Sequence, residues 1–244
     1  MPTDGMASKV HMMSQGSYYQ FCPVAMASEV LCKRWTMVLV RELVAGSTRF
    51  NDLKRGVPRM SPTLLSQRLK ELEAAGIVVR VPVAGDAGIS EYHLTPAGED
   101  LLPVVKALGV WGQRWVESNL SLRNLDASLL MWDMRRNLDP TPLPERRVVV
   151  RFCYPELPST RRNFWLVVEP KGSIDLCATD PGFDIDLYVT TDLRTMTAIW
   201  MGLDTVEKAC DRINFDGSRQ LAKTMQQWLG LSVFAAEKNR VERV

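Results

Sequence analysis

The sequence predicts an α+β chain made of two unlike halves, and three observations carry that expectation. Apolar residues recur at helical spacing over about residues 23–76. A β-branched run and an alternating run follow, separated by the turn signal Gly85-Asp86-Ala87-Gly88. Beyond Pro140, Pro142 and Pro144 the period shortens to two, and several strands precede the last helices, as in an antiparallel α+β domain. The 244 residues are enough for two cores, and 46% apolar with 24% charged residues is ordinary for folded protein.

Residues 1–20 lack an apolar period and are expected to form a flexible tail. Cys22-Pro23 opens a helix to about residue 32, because proline's missing N–H costs nothing at the first helical position. A second helix follows Trp35 and stops at Gly46, and a third covers Phe50–Arg55, closed by Gly56 and Pro58. Ser61-Pro62 starts a fourth, with Leu65, Leu69 and Leu72 on one stripe, ending at Gly76. Residues 77–81 and 89–94 form a hairpin, and Thr95-Pro96 starts a long helix through Trp111 and Trp115. This order is a helix-turn-helix with a β-hairpin wing, expected over 21–118. In the second half, 119–244, an amphipathic helix over 119–139 precedes strands at 147–154, 164–169, 173–178 and 185–191. Helices at 192–201 and 204–212, a strand near 213–215 and a helix over 218–229 complete the expectation.

Charge is uneven. Between Lys33 and Lys70 there are nine basic and two acidic residues, whereas 119–244 balances to zero. A basic segment in a neutral chain suggests a polyanion partner for that segment. On the fourth helix Thr63, Gln67 and Lys70 lie opposite the leucine stripe, since each residue turns about 100°. Gln pairs bidentately with adenine, and Thr contacts bases or a thymine methyl. Ser66 shares that surface, and Ser61, Lys54, Arg55 and Arg59 surround the helix start, where phosphate contacts belong. Arg68 lies nearer the buried edge and suits a partner within the fold. The wing turn carries an acid and no base, which argues against phosphate contact by the wing.

Five scattered cysteines, without CxxC spacing, argue for a reducing cytoplasm and against a disulfide framework or zinc cluster. Two isolated histidines, no phosphate loop and no acid–base pair beside a nucleophile exclude the usual enzyme and metal-site patterns, so no catalysis, metal or cofactor is expected. No apolar run reaches the roughly 20 residues that cross a bilayer, and no signal peptide is expected at the N-terminus. Asp184 and Asp186, two apart on a strand, read as outward and solvent-exposed. Met196, Trp200, Met225 and Trp228 form an adaptable apolar set of the kind that lines ligand cavities, or plain core.

Residues 21–116 resemble the HxlR family of bacterial winged-helix regulators. The resemblance rests on Cys22-Pro23, Lys33-Arg34-Trp35, Arg49-Phe50-Asn51-Asp52-Leu53, the run from Ser61 to Gly76, and Tyr92 to Gly98. It implies a homodimer that binds double-stranded DNA, usually as a repressor, with the helix at 98–117 and the N-terminal helix in the dimer interface. It also marks Cys22 as a candidate redox-sensing thiol, which its place at a helix start favours. Cys32 is too far along the same helix for direct bonding to it. Residues about 122–235 more weakly resemble the sterol carrier protein type-2 domain, on the stretch from Thr179 to Phe234. That resemblance implies a lipid-carrier-like α+β layer around an apolar tunnel, hence a hydrophobic small-molecule effector. The expectation is therefore a cytoplasmic DNA-binding regulator with an effector domain. The alternative is a lipid-binding or transfer protein whose helix-turn-helix is structural or mediates protein contacts.

Overall fold

Pro23 at a first helical position, and Ser61 and Thr95 just before two others, start helices where the sequence places them. In the computed structural model, which describes residues 17–83, 85, 88–116, 122–170 and 172–241, these are α1 (Pro23–Leu31), α4 (Pro62–Ala74) and α5 (Pro96–Glu99). Most of the expected tail, residues 1–16, and Asp86-Ala87 of the wing turn lie outside the described residues. The chain divides into two compact units, Met1–Ala107 and Leu108–Val244.

In the first unit α2 (Thr36–Val44) and α3 (Phe50–Gly56) complete the helices before α4. Leu39, Leu53, Leu65, Leu69 and Leu72 are fully buried in one core, so the leucine stripe of α4 faces inward as its period requires. Gly76 ends α4 at a φ of +69°, where a side chain is disfavoured. The wing is an antiparallel pair, β1 (Val78–Pro82) with β2 (Ser90–Leu94). The single helix expected after it is two, α5 and α6 (Leu102–Trp115). Pro103 has no N–H to give the carbonyl four residues back, so the helix restarts rather than continues.

The second unit holds α7 (Ala127–Asn137), then β3 (Val148–Cys153), β4 (Asn163–Val168), β5 (Ile174–Cys177), β6 (Leu187–Thr190), α8 (Leu193–Trp200), β7 (Asn214–Gly217), α9 (Arg219–Lys223) and α10 (Met225–Trp228). The sheet order is β5-β4-β3-β6-β7. The α7 helix starts later than expected, because the Asp126 carboxylate caps Leu129 N–H at 3.1 Å. Residues 119–121 lie outside the described residues.

The expected antiparallel sheet is corrected at one pair. β3 and β6 run parallel, because the connection 178–186 carries the chain past β4 and β3 before β6 begins. A period of two sets which face is buried, not the direction of the neighbour. The helix expected over 204–212 is a series of turns. Its bonds alternate between four-residue steps (Ala209 N–H to Thr205 O) and three-residue steps (Arg212 N–H to Ala209 O), so no α-ladder propagates. The last helix breaks at Thr224, whose hydroxyl donates to the Gln220 carbonyl at 3.0 Å. Val148, Val150, Phe152, Leu166, Leu187 and Val189 put one sheet face into the core with α7, α8 and α10. Val149, Trp165 and Val167 are buried on the other face, with Ile185 packed against them.

Candidate nucleic-acid interface

Ser61 accepts a hydrogen bond from Leu64 N–H at 3.2 Å, which stabilises the start of α4 and aims its first turn outward. With the leucines buried, Thr63, Gln67 and Lys70 lie exposed along the opposite face, and Ser66 is half-buried beside them. Arg55 and Arg59 are exposed near the helix start, Arg55 standing 3.4 Å from Asp52. Lys54 is different. Its half-buried ammonium donates to the Pro58 carbonyl at 2.7 Å and so braces the turn leading into α4.

The basic window is partly neutralised from within. Arg68 donates to both Glu71 oxygens at 2.9 Å and to the Arg34 carbonyl at 3.2 Å, in line with its place at the buried edge. Lys33 reaches the same carboxylate at 3.4 Å, and Gln67 donates its amide to Glu71 Oε1 at 3.1 Å. Burial pushes the Glu71 carboxyl upward, but the Gln67 bond and the Arg68 and Lys33 charges outweigh it and hold it below the ordinary range. Arg41 pairs with the fully buried Glu42 and donates to the Gly56 carbonyl at 3.0 Å, which ties α2 to the end of α3. Glu42 also accepts from the Ser47 hydroxyl at 3.4 Å.

Two cations that sequence reasoning passed over join the surface. Arg49 and Arg80 line a hollow of about 560 Å³ with Asn51, Asp52, Arg55 and Tyr92, between the start of α3 and the wing. Arg49 bonds Glu91 at 3.1 Å, and Tyr92 N–H bonds the Thr48 carbonyl at 2.8 Å, which fastens the wing to the helix. The Arg49 bond holds the Glu91 carboxyl below its ordinary value. The signal was available in the strand rather than the turn, because Arg80 occupies an exposed position of β1.

Cys22 is half-buried at the start of α1. The N–H groups of Ala25 and Val24 lower its thiol below the ordinary value, although no fully formed cap bond is made. Cys32 is exposed just beyond the other end of that helix. Met196, Trp200, Met225 and Trp228 all lie in the core of the second unit, none more than 7% exposed, and Trp228 donates its indole N–H to the Leu221 carbonyl at 2.9 Å. Asp186 is not the exposed acid expected. It accepts from Arg146 at 2.6 Å and from Val149 N–H at 2.9 Å, a clamp on the start of β3, whereas Asp184 is exposed.

A family model described as HxlR-like helix-turn-helix matches residues 30–120. An uncharacterised HTH-type transcriptional regulator of Bacillus subtilis, YvaP, is 35% identical over 40% of this chain and 92% of its own length. One of Mycobacterium bovis is 41% identical over 38% of this chain, which spans 58% of that protein. The structure of the redox regulator HypR in its reduced form is 33% identical, with a TM-score of 0.35, over 42% of this chain and 95% of its own.

Proposed function

We propose, from the premise that the chain belongs to the HxlR-like helix-turn-helix family, that it represses transcription by reading duplex DNA with α4. The observation that carries this is the face of α4 opposite its buried leucines. It presents Thr63, Gln67 and Lys70 to solvent, with Arg55 and Arg59 at its approach. A polar helix face with cations at its N-terminal end fits the major groove and its flanking phosphates. Arg49 and Arg80 extend the same cationic surface to the wing stem.

The active form is a homodimer, which places two α4 helices on two half-sites. Supporting this, α6 carries Val104, Leu108, Trp111 and Trp115 at alternating four- and three-residue spacing, each 45–58% exposed. Phe21, 98% exposed, and Val24 add apolar surface at the N-terminal segment. The second unit responds to a hydrophobic small molecule, and Cys22 to oxidants.

A labelled duplex from upstream of the protein's own gene tests the DNA reading, titrated at low and physiological salt. Affinity should fall steeply with salt, with a slope of roughly −0.9 per phosphate neutralised. An affinity independent of salt, or no binding beyond that to random duplex, removes the reading. Among the described residues no helix is long and apolar enough to cross a bilayer.

A further inference from the structure

Gln67 is exposed on α4, and its amide already has a partner. Its amide nitrogen donates to Glu71 Oε1 at 3.1 Å, one helical turn on. Glu71 is itself pinned. Arg68 grips both of its oxygens at 2.9 Å, and Lys33 approaches Oε2 at 3.4 Å. Arg68 is held in turn by the Arg34 carbonyl at 3.2 Å. Lys33 and Arg34 belong to the turn between α1 and α2, and Trp35, which closes that turn at a φ of 78°, has the Arg34 guanidinium 5.8 Å from its ring centre. The Gln67 amide is thus linked through Glu71 to the turn between α1 and α2, not only to its own helix.

We infer that Glu71 is a specificity-determining residue that sets Gln67 to read adenine in the major groove; this rests on the reading of α4 proposed above. An ionised carboxylate only accepts hydrogen bonds, so the amide nitrogen, not the oxygen, faces Glu71. One of the two amide hydrogens is thereby engaged. The other hydrogen and the carbonyl oxygen remain, one donor beside one acceptor. Adenine presents the complement in the major groove, an N7 acceptor beside an N6 donor. Guanine presents two acceptors, N7 and O6, and would leave the Gln67 oxygen opposed to another oxygen. Rotation of the amide to suit guanine would turn that oxygen onto the Glu71 carboxylate. A side chain already biased by this bond also loses less rotamer freedom on binding than a free glutamine.

The test is selection of the full-length protein against duplexes with a randomised core, followed by sequencing. The wild type should enrich a motif with an adenine position that Gln67→Ala loses. Glu71→Ala should lose the preference at that same position, by on the order of 10-fold. The other positions, and affinity for an unselected duplex, should hold. Glu71→Gln, which keeps an acceptor oxygen, should restore most of the preference, a rescue that a merely structural role does not predict. Should Glu71→Ala melt below the assay temperature, Glu71→Met takes its place, since it keeps the stem and lacks the acceptor. An intact adenine preference in either folded variant overturns the inference, and so does an equal loss at every position. A wild type that enriches no motif overturns the underlying reading of α4 instead.

Discussion

Asp192 shows what a single carboxylate does in the second unit. Its side chain accepts from Thr195 N–H at 2.8 Å and from the Thr195 hydroxyl at 2.6 Å, closing the start of α8. Burial raises its pKa, but the Thr195 bonds and the Arg212 charge prevail and leave it below the ordinary carboxylate value. A carboxyl depressed in the fold adds stability in full above its unfolded value of about 3.9, and loses it as pH falls through the lower folded value. Asp192→Ala should therefore destabilise at neutral pH by about 0.5–2 kcal/mol, and the gap to wild type should narrow near pH 3, read by thermal melts. Asp204, depressed by its bond to Arg212, adds to the same acid sensitivity. Cys22 has its pKa lowered by the Ala25 and Val24 N–H groups, so more of it is thiolate at neutral pH. It should alkylate faster than the half-buried Cys153, and peroxide should change DNA affinity in wild type but not in Cys22→Ser. Equal reaction of the two thiols leaves Cys22 a packing residue.

Among the elements, the join of α2 to α3 depends on a missing side chain. A Cβ on Gly56 would stand 1.9 Å from the Glu42 carboxyl, which is fully buried and held by Arg41 and Ser47. Gly56→Ala displaces that carboxylate and the turn into α4 with it. We expect a loss of at least the ~1–3 kcal/mol typical of overpacking, measured by denaturant titration, and weaker DNA binding in the folded fraction. The part of α6 from Leu108 on, which belongs to the second unit, has one side covered. Gly109 lies against the Phe234 ring, Arg114 bonds Glu237 at 2.7 Å, and Asn239 bonds the Gln113 and Val116 carbonyls. The side bearing Trp111 and Trp115 is open. Trp111→Glu should halve the mass seen by light scattering without lowering helical content. An unchanged dimeric mass in that variant refutes this face as the interface, and a monomeric wild type refutes the dimer.

At the scale of the whole molecule, the two units differ in surface and in core. The first shows exposed cations before the start of α4, on its outer face and on β1, namely Arg55, Arg59, Lys70 and Arg80, while Lys33, Arg41 and Arg68 have internal partners. The second is a mixed sheet whose inner face is filled by side chains from α7, α8 and α10. An apolar effector therefore has to part those helices or fill space between them, and either event binds only the folded state. The melting temperature should then rise with effector concentration in a thermal-shift series of fatty acids, sterols and aromatic amphiphiles. Flat melting curves throughout would leave the unit a filled core without a sensing role.

The sequence by itself determined the winged helix-turn-helix, its caps at Ser61 and Thr95, the inward leucines and the outward Gln67. Those features follow from short-range rules: helical period, capping chemistry and turn residues act within a few positions. Exposure of Thr63, Gln67 and Lys70 was legible for the same reason. Only the tertiary structure decided which charges are free. Lys33 reaches Glu71 from 38 positions away, Arg68 bonds the distant Arg34 carbonyl, and Arg49 bonds Glu91, 42 positions on, beside the hollow that Arg80 also lines. The parallel pairing of β3 with β6 likewise depends on where the 178–186 connection leads, which no local period records. Charge partners and strand neighbours are long-range choices settled by packing, whereas faces and caps are settled where the chain is local.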